Sequence, residues 1–105
     1  MQGSTVLQMA ARLVFRIHAV QRMSERGISE REVREILSIG ETIEESPDDT
    51  PYASRLVLGW CRGRPLHVVA AENAEAQETI VITVYDPDPT LWEPGFRQRR
   101  RPWNA

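Results

Sequence analysis

The chain contains no lysine: all 13 of its basic residues are arginine. GC-rich codon usage is the simplest source of that bias. The functional alternative is arginine's planar fork, which grips phosphate bidentately where lysine cannot. Cysteine is almost as scarce. Cys61 stands alone, which excludes an intrachain disulfide and a cysteine-based zinc site. No apolar run approaches the roughly 18 residues that a membrane span requires. Met1 to Phe15 lacks the basic start and long apolar core of a signal peptide, so a cytoplasmic location with no membrane partner is expected. The two histidines, His18 and His67, have no Asp or Glu at ligand spacing, and no metal site is expected. Gly-rich phosphate loops and the Ser-x-x-Lys and Gly-x-Ser-x-Gly patterns are missing too, and no cofactor is implied.

What remains is ordinary for one globular domain spanning residues 1–105, with 1–12 and 100–105 expected to be flexible: 41% hydrophobic and 27% charged residues. The net charge of −2 gives no general attraction for nucleic acid, but it is unevenly laid out. Residues 12–26 hold four arginines against one glutamate, and 30–49 hold eight acids against two arginines. Residues 97–101 contribute four more arginines. Anion binding must therefore be local.

The segment His18–Val33, HAVQRMSERGISEREV, contains two helix signatures in succession. Leu13–Ile17 before it reads as a short strand, although one helix from Val6 to Arg26 fits the pattern as well. The first helix covers His18–Arg26, with Ala19, Val20 and Met23 as its apolar stripe and Gly27 at its C-terminus. In the second, Ser29 and Glu32 make a capping box, and Ile28 and Val33 a hydrophobic staple. Val33, Ile36 and Leu37 form its core face, and Gly40 stops it. Strands follow at Glu41–Glu45, Arg55–Cys61, Pro65–Ala71 and Thr79–Tyr85, and the segment after Tyr85 is too rich in proline to be regular.

Strand alternation groups Leu66, Val68 and Ala70 on one face, and Ile80, Ile82 and Val84 likewise. Bringing Leu56, Leu58 and Trp60 onto that face requires a three-residue turn over 62–64, with Gly59 beside His67. The opposite face then carries His67 opposite Thr83, Val69 opposite Val81, and Tyr85 nearby. The expected fold is α+β, with two N-terminal helices packed on one face of a three- to four-stranded antiparallel sheet.

Three groups of residues could carry chemistry. His67, Thr83 and Tyr85 pair an imidazole that titrates near neutrality with two hydroxyls; the structural alternative is a half-buried strand histidine among common β-formers. His18, Arg22 and Arg26 recur every four residues and could clamp a phosphodiester; equally, they could be a solvated helix edge. The tail arginines, Arg97 and Arg99 among them, flanked by Phe96 and Trp103, have the make-up of a small RNA-binding patch or of a solvated tail.

HAVQRMSERGISEREV, then GRPLHVV, then ITVYDPD with Trp92 following, resembles the bacterial family known as domain of unknown function 4258, over about Ile17 to Arg99. The resemblance implies likeness to the RelE and barnase-type ribonuclease toxins, and members of the resembled family often stand beside zinc-ribbon antitoxins. Carried over by motif, it marks His18, Arg22, Arg26, His67, Thr83 and Tyr85. The function so implied is a metal-independent endoribonuclease toxin of a toxin–antitoxin pair. His67 would be base or acid, Tyr85 or His18 its complement, Thr83 the orienting group, and Arg22 and Arg26 the phosphate clamp. RNA and a zinc-ribbon or helix-turn-helix antitoxin would be the partners. The alternative is a non-catalytic protein- or RNA-binding module of the same fold, with Trp60, Trp92 or Trp103 as anchors.

Overall fold

The computed structural model describes residues 12–101. Its elements run β1 (Arg12–Phe15), α1 (Ile17–Arg26), α2 (Glu30–Ile39), β2 (Glu41–Ser46), β3 (Ser54–Cys61), β4 (Arg64–Asn73) and β5 (Glu78–Tyr85). Five strands form one sheet in the order β1-β5-β4-β3-β2. The expected antiparallel sheet of three or four strands is therefore wrong: the sheet is mixed and strand-rich, because β1 runs parallel to β5. The physical reason is β5's outer edge, which a simple meander would leave with unpaired backbone groups. Arg12 and Arg16 donate their N–H groups to Gln77 O and Val81 O along that edge.

The helices form where their local signals lie. Ser29 Oγ accepts from the Glu32 N–H at 3.1 Å, and the Glu32 carboxylate accepts from the Ser29 N–H at 2.9 Å. Those two bonds satisfy donors that α2's first turn would otherwise leave open. α1 ends at Gly27, left-handed at φ 65°, whose N–H returns to Met23 O. Ala19 and Met23 of α1 and Val33 and Ile36 of α2, with Ile28 between the helices, pack against Val57, Cys61, Leu66, Val68, Val81 and Val84 of the sheet. Val20 of the expected stripe is half exposed. Gly59 permits the close approach of α2: a Cβ there would lie 2.6 Å from the Ile36 side chain.

Two details of register depart from expectation. The β3–β4 turn has two residues, Arg62 and Gly63, both at positive φ (55° and 77°), with Cys61 paired to Arg64. That is the conformation of a tight hairpin whose twist matches its strands. Val57, Gly59 and Cys61 therefore face the helices, and Leu56 and Leu58 share the other face with His67, paired as Leu56↔Val69 and Leu58↔His67. The second departure is a bulge at Ile82, where the pairing passes from Val69↔Thr83 to Ala70↔Val81. The turn between β4 and β5 is also one position on from expectation, with Ala70 rather than Val69 opposite Val81, which sets Val81 toward the helices; turn and bulge together place Tyr85, not Thr83, opposite His67.

Leu56 and Leu58 are buried on their unexpected face because that face is covered as well. After β5 the chain turns at Asp88, then Trp92 bridges Arg99, Glu93 N–H donates to Gln98 O and Arg100 N–H to Leu91 O. The resulting irregular hairpin, residues 87–101, lies across the sheet as a strap with Trp92 buried beneath it. Of the ends expected to be flexible, 1–12 and 100–105, residues 1–11 and 102–105 fall outside the described residues; Arg12 lies in β1, and the Arg100 N–H is bonded to Leu91 O.

Candidate functional site

His67 sits mid-strand on the strap side of β4 and is 0% exposed. Its Nε2 lies 3.0 Å from Phe96 O and its Nδ1 3.3 Å from the Tyr85 hydroxyl. A carbonyl can only accept, so Nε2 carries the proton and Nδ1 accepts from the Tyr85 O–H. Trp92 meets the imidazole edge-on at 4.5 Å between ring centres, and Tyr85 does the same at 5.2 Å. The Arg99 guanidinium lies over the Trp92 ring at 4.6 Å, held by Glu44 of β2 through contacts of 2.8 and 3.0 Å. Arginine, tryptophan, imidazole and phenol thus form one continuous chain of contacts, the aromatic rings meeting edge to face.

The electrostatics follow from that enclosure. Burial pushes the His67 pKa below its ordinary value, partly opposed by the Phe96 carbonyl and Glu44. Burial likewise raises the Tyr85 hydroxyl. Both side chains stay neutral near pH 7. An imidazole with both nitrogens engaged and no solvent contact cannot exchange a proton with a substrate in this arrangement. Thr83 lies on the same face, half-buried, opposite Val69.

The helix row is elsewhere. α1 packs against the face that bears Leu66 and Val68, whereas His67 points to the other, so the sheet itself separates the two groups. His18 is exposed and Arg22 half-buried. Arg26 binds Asp86 at 3.1 Å, and Arg64 binds both oxygens of Asp86 at 2.8 and 3.1 Å while reaching Arg26 O at 3.0 Å. These guanidiniums hold the Asp86 carboxyl below the usual carboxylate range, Arg64 first. Arg26 is thus occupied in joining the end of α1 to the end of β5. Arg97 is paired with Glu41 at 2.7 Å, and with Arg99 on Glu44 the strap is pinned to β2 at two points.

Sequence reasoning missed the Arg64–Asp86 link, the acceptors Glu41 and Glu44, and the place of Trp92. A usable signal existed for the last: a bulky apolar residue in a proline-rich loop needs somewhere to be buried. Burial also raises the Cys61 thiol, which keeps it protonated and unsuited to nucleophilic work.

The fold and this sealed aromatic cluster define a small strand-rich α+β domain whose sheet is covered on both faces. The chain belongs to the family described as domain of unknown function (DUF4258), whose model matches residues 15–86. Searches of curated proteins and of solved structures give no significant match. The matched region takes in both helices and β2 to β5; the strap begins where it ends. No helix among the described residues is long and apolar enough to cross a membrane.

Proposed function

We propose that this chain is a non-catalytic protein-binding module. The observation that carries the reading is the enclosure of His67: the imidazole best placed for acid–base work is fully buried and spends both nitrogens on internal bonds. Arginine usage points away from RNA as well. Eight of the 13 arginines are in ion pairs with carboxylates of the same chain: Arg12, Arg26, Arg55, Arg62, Arg64, Arg97, Arg99 and Arg100. A phosphate would have to displace those acids before gaining its own contacts.

A second reading, the metal-independent endoribonuclease toxin of RelE or barnase type with its own antitoxin, has one observation in its favour. His67, Tyr85 and Arg99 gather around Trp92 in a single cluster, and these residue types serve general acid–base cleavage of RNA. It requires the strap to leave the sheet. The two readings separate on expression of the chain alone and on incubation of the purified chain with total RNA. A binding module leaves growth and RNA intact. Growth arrest together with cleavage that His67→Ala abolishes would establish the nuclease instead.

A further inference from the structure

The face sealed by the strap is not the only apolar surface. At the C-terminal end of α2 an open groove of about 280 Å³ lies against the end of β3, lined by residues of α2, of β3 and by Arg97 of the strap. Its floor is Ile36, Leu58 and Gly59, all buried, and its walls are two side chains left largely in water, Ile39 at 74% and Trp60 at 52% exposed. Trp60 leans on Phe96 of the strap, with ring centres 6.1 Å apart, so the indole has support on one side and solvent on the other. An exposed indole and an exposed isoleucine flanking one hollow make a preformed seat for a bulky apolar side chain.

The surroundings fix the sign of the partner's charge. Glu35 and Glu41 stand at the groove's rim and both are exposed. The free carbonyl end of α2 opens beside Gly40, and the helix has no basic residue in its last turn to offset that partial negative charge. Arg97 and Glu41, both on the rim, pair with each other and cancel, which leaves Glu35 as the uncompensated charge among the residues lining the groove. A hollow that is apolar at its centre and negative around its edge complements a basic segment with one large apolar residue.

We propose that the groove bounded by Ile39 and Trp60 is the docking surface of this module, and that its occupant is a basic polypeptide segment anchored by a bulky apolar side chain. The inference rests on the protein-binding reading and names its surface. Trp60 supplies the anchor's contact area, Ile39 closes the opposite wall, and Glu35 with the end of α2 receives arginine or lysine next to the anchor.

Selection from a random-peptide display library against the full chain tests it without presupposing a sequence. The enriched peptides should place arginine or lysine within a turn of a leucine, isoleucine, methionine or aromatic residue. Trp60→Ala should weaken them by at least about thirtyfold, as for a central hot spot, and Ile39→Ser and Glu35→Gln by smaller factors. All three side chains are exposed, and an unchanged melting curve keeps a loss of binding from being a loss of fold. Peptides that bind Trp60→Ala and Ile39→Ser as well as the parent overturn the groove but leave protein binding standing. Enriched peptides that are acidic, or apolar without bases, overturn the assigned partner. Self-association of the chain that Trp60→Ala abolishes would give the groove to a second copy and likewise overturn it. No enrichment, with RNA cleavage by the same preparation, overturns the protein-binding reading itself.

Discussion

At the scale of single residues, His67 and Asp86 respond to acid in different windows. Burial holds the folded-state pKa of His67 below 6.5, so below about pH 6.5 the unfolded chain takes up a proton that the folded chain resists. Its contribution is complete above that pH and declines as pH falls toward the folded value. Urea midpoints should therefore drop between about pH 7 and pH 5, and His67→Gln should flatten that slope. A midpoint level across this range in the parent chain would contradict the enclosure of the imidazole. Asp86, whose carboxyl is depressed below its ordinary 3.8 by Arg64 and Arg26, loses its contribution only in stronger acid. Asp86→Asn removes the bidentate partner of Arg64 and should cost about 1–2 kcal/mol at neutral pH, read from urea unfolding. Neither residue's role was visible along the chain. His67 stood out as a titratable group on a strand, but what encloses it arrives 25 and 29 residues later in Trp92 and Phe96.

Among the elements, α2 was the most legible and β3 the least, for a physical reason. The boundaries of α2 are written in neighbours: Ser29 and Glu32 cap each other across one turn, and Ile28 and Val33 meet over them. Ser29→Ala should lower stability by about 1 kcal/mol, measured by thermal or urea unfolding. The face of β3 depends on what lies above each side of the sheet. Reading Leu56 and Leu58 as facing the helices assumed that only one side was covered; the strap supplies a second cover, and the two-residue turn then becomes the favourable one. The same register puts Gly59 under Ile36. Gly59→Ala should cost about 1–3 kcal/mol by overpacking. Ile36→Ala removes the Cγ1 and Cγ2 that a Cβ at position 59 would meet, so Gly59→Ala combined with Ile36→Ala should cost less than the sum of the two single changes, a coupling that a double-mutant cycle measures.

For the whole molecule, the sheet has two cores of different construction. The helix side is continuous aliphatic packing; the strap side centres on Trp92, His67 and Tyr85, with Arg97 and Arg99 pinned to Glu41 and Glu44 at its margin. Because those margin pairs are exposed, salt screens them readily and they contribute little; the strap's hold rests on Trp92, and added salt should change overall stability only slightly. Trp92→Ala should destabilise the fold by about 3–5 kcal/mol, and hydrogen exchange at the amides of β4 should accelerate. Exchange that stayed at the parent's rate would mean that the strap seals little. The candidate site was legible only in its parts. His18, Arg22 and Arg26 on one side and His67, Thr83 and Tyr85 on the other were each recognisable, and only the topology puts the sheet between them.

The parallel pairing of β1 with β5 also sets an order of events during synthesis. Arg12 lies beside Glu78, a separation of 66 residues, whereas β3, β4 and β5 are joined by short turns. Local hairpins close early and distant pairs late, since the longer loop has more freedom to lose. Among the described strands, the one earliest in the chain is thus the last to find its place. Until β5 has formed, β1 has no partner strand in this sheet, and the sheet is closed by pairing the earliest of the described strands with the last.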